Sequence, residues 1–313
     1  MARIEDDMPG KPAVSVLLPT WNTLRFLPAA VESILAQEFA DFELIVVDDG
    51  STDGTADYLD ALRDPRLRVL RMQSHVGVTA ALNHGLAQCS GTYVARMDAD
   101  DISEPNRFAE QVRFLDQNPD VGVLGSARLL IDENGAIVGA AGVMFDDLSI
   151  RWRCLLGNPL PHPTVMLRRD IFVRHDLRYD EAYSSSQDYE LWTRLLPLTR
   201  AHNLEAPLLR YRLRESSIST SRAAEQIAKH HRIARLANQR MLPTFPLNAD
   251  EIANLCGRYG GKNVRDPSMD PLEEKWLRLL EAMLCEFCRC HATASDISSF
   301  EAYQRAWIDR LRG

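Results

Sequence analysis

Few folds tolerate the order in which the first 125 residues of this chain arrange their apolar side chains. Short runs rich in Val, Ile and Leu read as strands: VSVLLP (14–19), FELIVV (42–47), RLRVLRM (66–72), GTYVARM (91–97) and VGVLG (121–125). Between them lie segments of helical period. TLRFLPAAVESILAQ puts Leu27, Val31, Ile34 and Leu35 on one face and accepts Pro28 only in its first turn. VGVTAALNHGLAQC and PNRFAEQVRFLDQN are further helices. The first strands have no polar face, so they belong inside a sheet covered on both sides. Strands alternating with helices predict an α/β fold with a mostly parallel sheet and flanking helices. In such sheets ligands bind beyond the carboxyl ends of the strands. Two acidic turns, VVDDGSTDGT after the second strand and MDADD after the fourth, fall on that edge and become neighbours.

After residue 126 the pattern changes. ARLLIDENGAIVGA predicts a hairpin turning at Glu133-Asn134-Gly135, and HPTVMLRRDIF a strand running into a helix. SQDYELWTRLL reads as a helix start and LLRYRL as a late strand. From about Ser221 the pattern is helical, interrupted near LPTFPLNAD and GRYGGKNVRDPSMDP. The expected division is a first domain over 1–221 and a C-terminal helical region over 222–313.

The net charge of −8 argues against a general nucleic-acid binder, which carries a basic excess. Residues 205–240 run the other way, with eight basic side chains (Arg210, Arg212, Arg214, Arg222, Lys229, Arg232, Arg235, Arg240) against three acidic ones. That stretch suits phosphates or peripheral contact with an anionic membrane, or else an ordinary solvated face. No run of about 18 apolar residues is present to span a bilayer. The opening segment does not read as a signal peptide. A cytoplasmic protein is expected, at most peripheral to the inner face of the membrane. The six cysteines do not form a secreted disulfide pattern. CEFCRCH invites a zinc reading, but on a helix Cys285 and Cys288 share a face from which Cys290 points away, so packing thiols are expected.

Four stretches carry possible chemistry. VVDDGSTDGT is either an ordinary strand-to-helix turn or a place where Asp48 and Asp49 accept hydrogen bonds from a nucleobase or ribose. Neither G-x-G-x-x-G nor G-x-x-x-x-G-K-[ST] accompanies it, which disfavours dinucleotide and P-loop chemistry. In MDADD the D-x-D spacing on an extended backbone sets Asp98 and Asp100 on one side. Hard oxygen ligands of that kind hold Mg²⁺ or Mn²⁺ together with substrate phosphates; the alternative is an acidic cap on the following helix. Asp188 and Glu190 in SQDYELW are either capping residues or the source of a general base for a hydroxyl. His162, between prolines in LPHPTVM, is structural or functional.

Taken together, VSVLLPTWN, ILAQEFADFELIVVDDGSTDGT, GVTAALNHGLAQCSGTYVARMDADDISEPNRFAEQV, HPTVMLRRDIF and QDYELWTRLL, in order from residue 14 to about 220, resemble the family-two inverting nucleotide-sugar glycosyltransferases of GT-A fold. The helical tail lies outside the resemblance. The resemblance implies a GT-A sheet, mixed but mostly parallel; the helical pattern of the tail adds a C-terminal helical subdomain. It implies a nucleotide cradle of Pro19, Thr20, Trp21, Asp48 and Asp49, with Asp49 accepting from the base and Trp21 packing near it. Asp98 lies near ribose or metal, Asp100 is the principal ligand of Mn²⁺ or Mg²⁺, Asp188 is the catalytic base, and His162 stands on the acceptor side. The implied partners are a nucleotide-sugar donor, with uridine diphosphate the favoured carrier, and a glycan or lipid-linked glycan acceptor such as serves bacterial surface polysaccharide synthesis. Two departures stand out. Gln187 replaces the Glu that often precedes the base, which removes a like charge that would raise the Asp188 pKa. Arg214 occupies a position where relatives often carry a His, and it is suited to pair with the diphosphate.

Two competing functions fit the residues less well. A non-catalytic nucleotide-sugar or glycan-binding subunit has no need to keep Asp98, Asp100 and Asp188 together. A sugar-1-phosphate nucleotidyltransferase calls for a Gly-rich basic loop after the first strand, and LPTWNTLRF is not one.

Overall fold

The computed structural model describes residues 10–214, 223–257, 274–292, 300–302, 304–306 and 308. The first half follows the expected alternation: β1 (Val14–Thr20), α1 (Leu27–Leu35), β2 (Phe42–Asp48), α2 (Thr55–Ala61), β3 (Leu67–Arg71), α3 (Val78–Leu86) and β4 (Tyr93–Arg96). Then come β5 (Ile102–Ser103), α4 (Arg107–Gln117), β6 (Val121–Ile131), β7 (Ile137–Ala141), α5 (Asp147–Cys154), β8 (Met166–Arg168), α6 (Arg169–Arg174), α7 (Gln187–Leu195) and β9 (Arg200–Arg212). Among the described residues there follow the helices α8 (Ala223–Met241), α9 (Ala249–Leu255) and α10 (Glu274–His291).

All nine strands form one sheet in the order β3-β2-β1-β4-β8-β6-β9-β5, with β7 added on β6. The sheet is mixed. Its run β3-β2-β1-β4 and the long pair β6–β9 are parallel and hold most of the paired residues, whereas β8 lies antiparallel to both β4 and β6, β7 to β6 and β5 to β9, the mixed and mostly parallel sheet expected. The expected VGVLG strand and the first arm of the expected hairpin are one continuous β6, closed at its far end by Gly135 N–H on the Asp132 carbonyl at 3.1 Å. The late strand is longer than LLRYRL suggests, because β9 runs beside β6 from Arg200 and skips register around Pro207.

Alternate residues of the buried strands feed two cores. Leu17, Ile45, Val47 and Val94 meet Ala81 and Leu82 of α3, while Val16, Leu18, Leu44, Val46 and Ala95 meet Leu27, Val31 and Ile34 of α1 and Phe108 of α4. A strand flanked by helices on both sides needs no polar face, which explains the unbroken apolar runs.

The boundary expected at 221/222 lies outside the described residues, as do Arg222 and the interruption near 258–273. Beyond it, Ile233, Ala237, Ile252, Leu280, Met283 and Phe287 join the same apolar cluster as Trp152, Tyr189 and Trp192. Phe287 packs edge-on to Trp152 with ring centroids 5.4 Å apart. Cys285, Cys288 and Cys290 all ride on α10, with Cys288 buried and the other two exposed. No helix among the described residues is long and apolar enough to cross a membrane.

Candidate donor site and catalytic base

The parallel registers set Thr20 beside Asp48 and Leu17 beside Arg96, so the ends of β1, β2 and β4 open on one edge. On the β2 side the chain turns sharply at Gly50, whose φ of +71° suits glycine, and a Cβ there would lie 2.8 Å from the His75 nitrogen. Asp48 Oδ1 accepts from Ser51 N–H at 3.0 Å and shapes the turn. The buried Asp49 accepts from Val76 N–H (2.9 Å) and Gly77 N–H (2.8 Å), and its Oδ2 lies 2.8 Å from His75 Nδ1. His75 in turn stacks on Trp21, with centroids 3.8 Å apart and planes 13° from parallel. The indole is 46% exposed, an aromatic face open to solvent above a buried carboxylate. The sequence reading missed His75; only its distance from Asp49 and Trp21 in the fold reveals it.

On the β4 side, Asp98, Asp100 and Asp101 can each offer an oxygen within 4.8 Å of the others. Arg96 Nη1 sits 2.5 Å from Asp98 Oδ2, and Arg214 Nη1 sits 3.1 Å from Asp100 Oδ2. The two-residue strand β5, absent from the sequence reading, pairs Ile102 with Arg210 and so carries the end of β9 to this turn. Asp101 Oδ1 takes the Arg212 N–H at 2.8 Å, while its buried Oδ2 has no hydrogen-bond partner among the described residues. Burial, then the charge of Asp98, pushes the Asp100 carboxyl up, and Arg214 works against that rise. The Asp101 carboxyl is held well above the usual carboxylate range by burial and by both neighbouring aspartates. Hard oxygens in close mutual repulsion, one of them without a partner, fit a divalent cation. Among the described residues no other group of three His, Cys, Asp or Glu side chains is so placed.

Asp188 enters the second turn-forming position of α7, after Ser186 at φ +61°. Its Oδ2 accepts from Asn158 Nδ2 at 2.6 Å. Burial raises the Asp188 carboxyl above its ordinary pKa, while the Asn158 hydrogen bond, the Tyr189 N–H and Arg96 pull the other way. The rise therefore comes from desolvation, with no acidic neighbour at Gln187 needed. Glu190 is taken: it is buried and clasped by Arg194 at 2.6 Å, with Arg240 of α8 at 3.5 Å. Of the two acids in SQDYELW, Asp188 alone has no ion-pair partner within 4 Å among the described residues.

Two of the sequence candidates sit in closer surroundings than their spacing suggests. His162 lies below the surface. It is 6% exposed, its Nε2 is 2.8 Å from the Tyr179 hydroxyl, and its ring packs edge-on to Trp192. Burial, with Arg96 nearby, drives its pKa well below the ordinary value, so it is a neutral core residue beneath the site. In the described part of the 205–240 stretch, four of the arginines have partners within the fold. Arg210 pairs with Glu104, Arg212 donates to the Asp100, Asp132 and Glu133 carbonyls, Arg214 pairs with Asp100, and Arg240 reaches Glu190 and Thr193. The β9 arginines bind the acidic turns because β9 runs alongside them.

A sheet edge with an aromatic-and-carboxylate cradle, an adjacent acidic cluster and a separate carboxylate at a helix start defines a nucleotide-sugar transferase of GT-A type. The chain belongs to glycosyl transferase family 2, whose model matches residues 15–175. Among its relatives, the O-antigen biosynthesis glycosyltransferase WbnJ of Escherichia coli is 29% identical over 74% of this chain and 92% of its own length. A second E. coli protein, the UDP-Glc:alpha-D-GlcNAc-diphosphoundecaprenol beta-1,3-glucosyltransferase WfgD, is 28% identical over 68% of this chain and 81% of its own. The solved structure of S. aureus TarS with UDP-GlcNAc shares the fold, with a TM-score of 0.63 at 22% identity over 96% of this chain and 89% of that one. The likeness in fold thus continues past the residues that the family model covers.

Proposed function

We propose that this protein is an inverting hexosyltransferase that moves a sugar from a UDP-sugar to a glycan or lipid-linked glycan acceptor in the cytoplasm. The observation that carries the reading is the acidic cluster Asp98, Asp100 and Asp101 beside the Trp21–Asp49 cradle, with Asp188 held apart from both on α7. Trp21 takes the base on its open face, backed by Pro19, Thr20, Asp48 and the buried Asp49. Asp98 and Asp100 hold Mn²⁺ or Mg²⁺, which when bound offsets negative charge on the leaving diphosphate. Arg214 adds a guanidinium to the same phosphates.

Asp188 removes the proton from the acceptor hydroxyl as its oxygen bonds to the anomeric carbon. The bond from that carbon to the phosphate oxygen breaks, and uridine diphosphate leaves with the electron pair. A single displacement inverts the centre, so an α-linked donor gives a β-linked product. The raised pKa of Asp188 suits a group that must accept a proton in a partly desolvated cleft. The UDP-glucose donor in the name of WfgD, and the UDP-GlcNAc in the TarS structure, support a uridine carrier. WfgD and WbnJ support an acceptor from surface polysaccharide assembly.

The test is calorimetric titration of UDP with and without Mn²⁺, on the wild type and on Asp100→Asn. Binding that Mn²⁺ strengthens at least about tenfold, and that Asp100→Asn loses, is expected. Wild-type binding of donor with no sugar transfer, unchanged by Asp188→Asn, would favour a non-catalytic binding subunit.

A further inference from the structure

Both acidic residues assigned to the cation are already paired with arginines, and the two arginines differ. Arg96 is walled in, its side chain 5% exposed at the end of β4, and it cannot follow a ligand out of the site. Arg214 is 29% exposed just past β9 and joins Asp100 through one nitrogen; its buried Nε, like that of Arg96, has no hydrogen-bond partner among the described residues. It shares one aromatic ring with two other guanidinium groups. The guanidinium groups of Arg25, Arg212 and Arg214 lie 4.8, 4.9 and 5.2 Å from the centre of the same Phe26 ring. Arg212 is fixed by three carbonyls and Arg25 lies on Glu133 at 2.7 Å, away from the acidic cluster, so of the three Arg214 is the one whose side chain pairs with a carboxylate of that cluster.

We propose that Arg214 is a built-in counter-cation of the acidic cluster, and that its exchange between Asp100 and the donor diphosphate couples nucleotide binding to divalent-cation binding. The inference rests on the donor-site reading above. With Arg214 on Asp100, three carboxylates already face two guanidinium groups, and a free divalent cation meets a largely neutralised site. A diphosphate offers Arg214 two oxygens in place of one. Once Arg214 moves, Asp100 regains its full charge for the cation. The converse holds by linkage: a cation on Asp100 releases Arg214 to the phosphates, so each ligand tightens the other by the same factor.

The experiment measures Mn²⁺ binding to the full chain from the electron paramagnetic resonance signal of the free ion. It is run with and without UDP, on wild type, Arg214→Gln and Arg214→Lys. Arg214→Gln is expected to bind Mn²⁺ alone about fivefold or more tighter than wild type, and to show a smaller tightening by UDP. Arg214→Lys, which keeps the charge, is expected to bind Mn²⁺ alone as weakly as wild type. If Arg214→Gln binds Mn²⁺ no tighter than wild type, or Arg214→Lys gains as much as Arg214→Gln, the counter-cation role is wrong. A wild type that binds no UDP at all overturns the donor-site reading and the coupling with it. Normal UDP and Mn²⁺ binding with an unaltered Arg214→Gln overturns the Arg214 role alone.

Discussion

Asn158→Ala probes the base without touching it. Asn158 Nδ2 donates to Asp188 Oδ2 at 2.6 Å, a bond that favours the ionised carboxylate. A hydrogen bond to a charged group contributes roughly 1.5–3 kcal/mol and one to a neutral group about 1 kcal/mol. The difference, about 0.5–2 kcal/mol, is what the ionisation feels, and 1.36 kcal/mol corresponds to about one pKa unit. Loss of a donor that stabilises the charged form raises a pKa that burial has already raised. With Asp188 as the proposed base, active when ionised, the acidic limb of kcat/KM should move to higher pH, by roughly 0.5–1.5 units. The assay is release of UDP from a UDP-hexose across pH 4.5–8 (an assay range), with Asp188→Asn as the inactive reference. At pH 8 the variant should recover most of the wild-type rate, since Asp188 is then ionised in both. An acidic limb that stays in place, or moves to lower pH, would refute the assignment of Asp188 as the titrating base held by Asn158.

Three further outcomes are expected. Trp21→Ala removes the open aromatic face and should weaken UDP binding about tenfold by calorimetry, at about 1–3 kcal/mol per stacked base, while leaving the melting temperature nearly unchanged. Gly50→Ala puts a Cβ at a φ of +71° and 2.8 Å from the His75 nitrogen; urea unfolding should show a loss of about 1–3 kcal/mol, with UDP binding weakened as the Asp49 loop shifts. Phe287→Ala, in a helix whose ring is fully buried against Trp152, should cost about 3–5 kcal/mol and lower one cooperative thermal transition. Two separated transitions, with only the second moved, would instead mark 222–313 as an independent domain.

Much of this was legible in residue types and spacing. Uninterrupted apolar strands between amphipathic helices announce a sheet covered on both faces, and Asp48, Asp49, Asp98 and Asp100 then fall on its carboxyl edge by topology alone. Asp188 was legible through its resemblance to a family motif. What escaped were contacts made across long stretches of chain. Asp100 and Arg214 are 114 residues apart and meet because β5 pairs with β9; Asn158 and Asp188 are 30 apart and meet where α7 packs near the loop after α5. The burial of His162 escaped for the same reason: a histidine between prolines has a chemistry, but its exposure depends on Tyr179 and Trp192, which come from other elements.

The sequence by itself determined the alternation of strands and helices, because hydrophobic period is a local property that each segment carries with it. It also determined which carboxylates stand at the strand ends, since a turn follows wherever an apolar run stops. Only the tertiary structure decided their charge state and company. A carboxyl's pKa depends on how much water its neighbours exclude and which cations they bring, and those neighbours are assembled only when β9 closes against the acidic turn and α7 packs beside it.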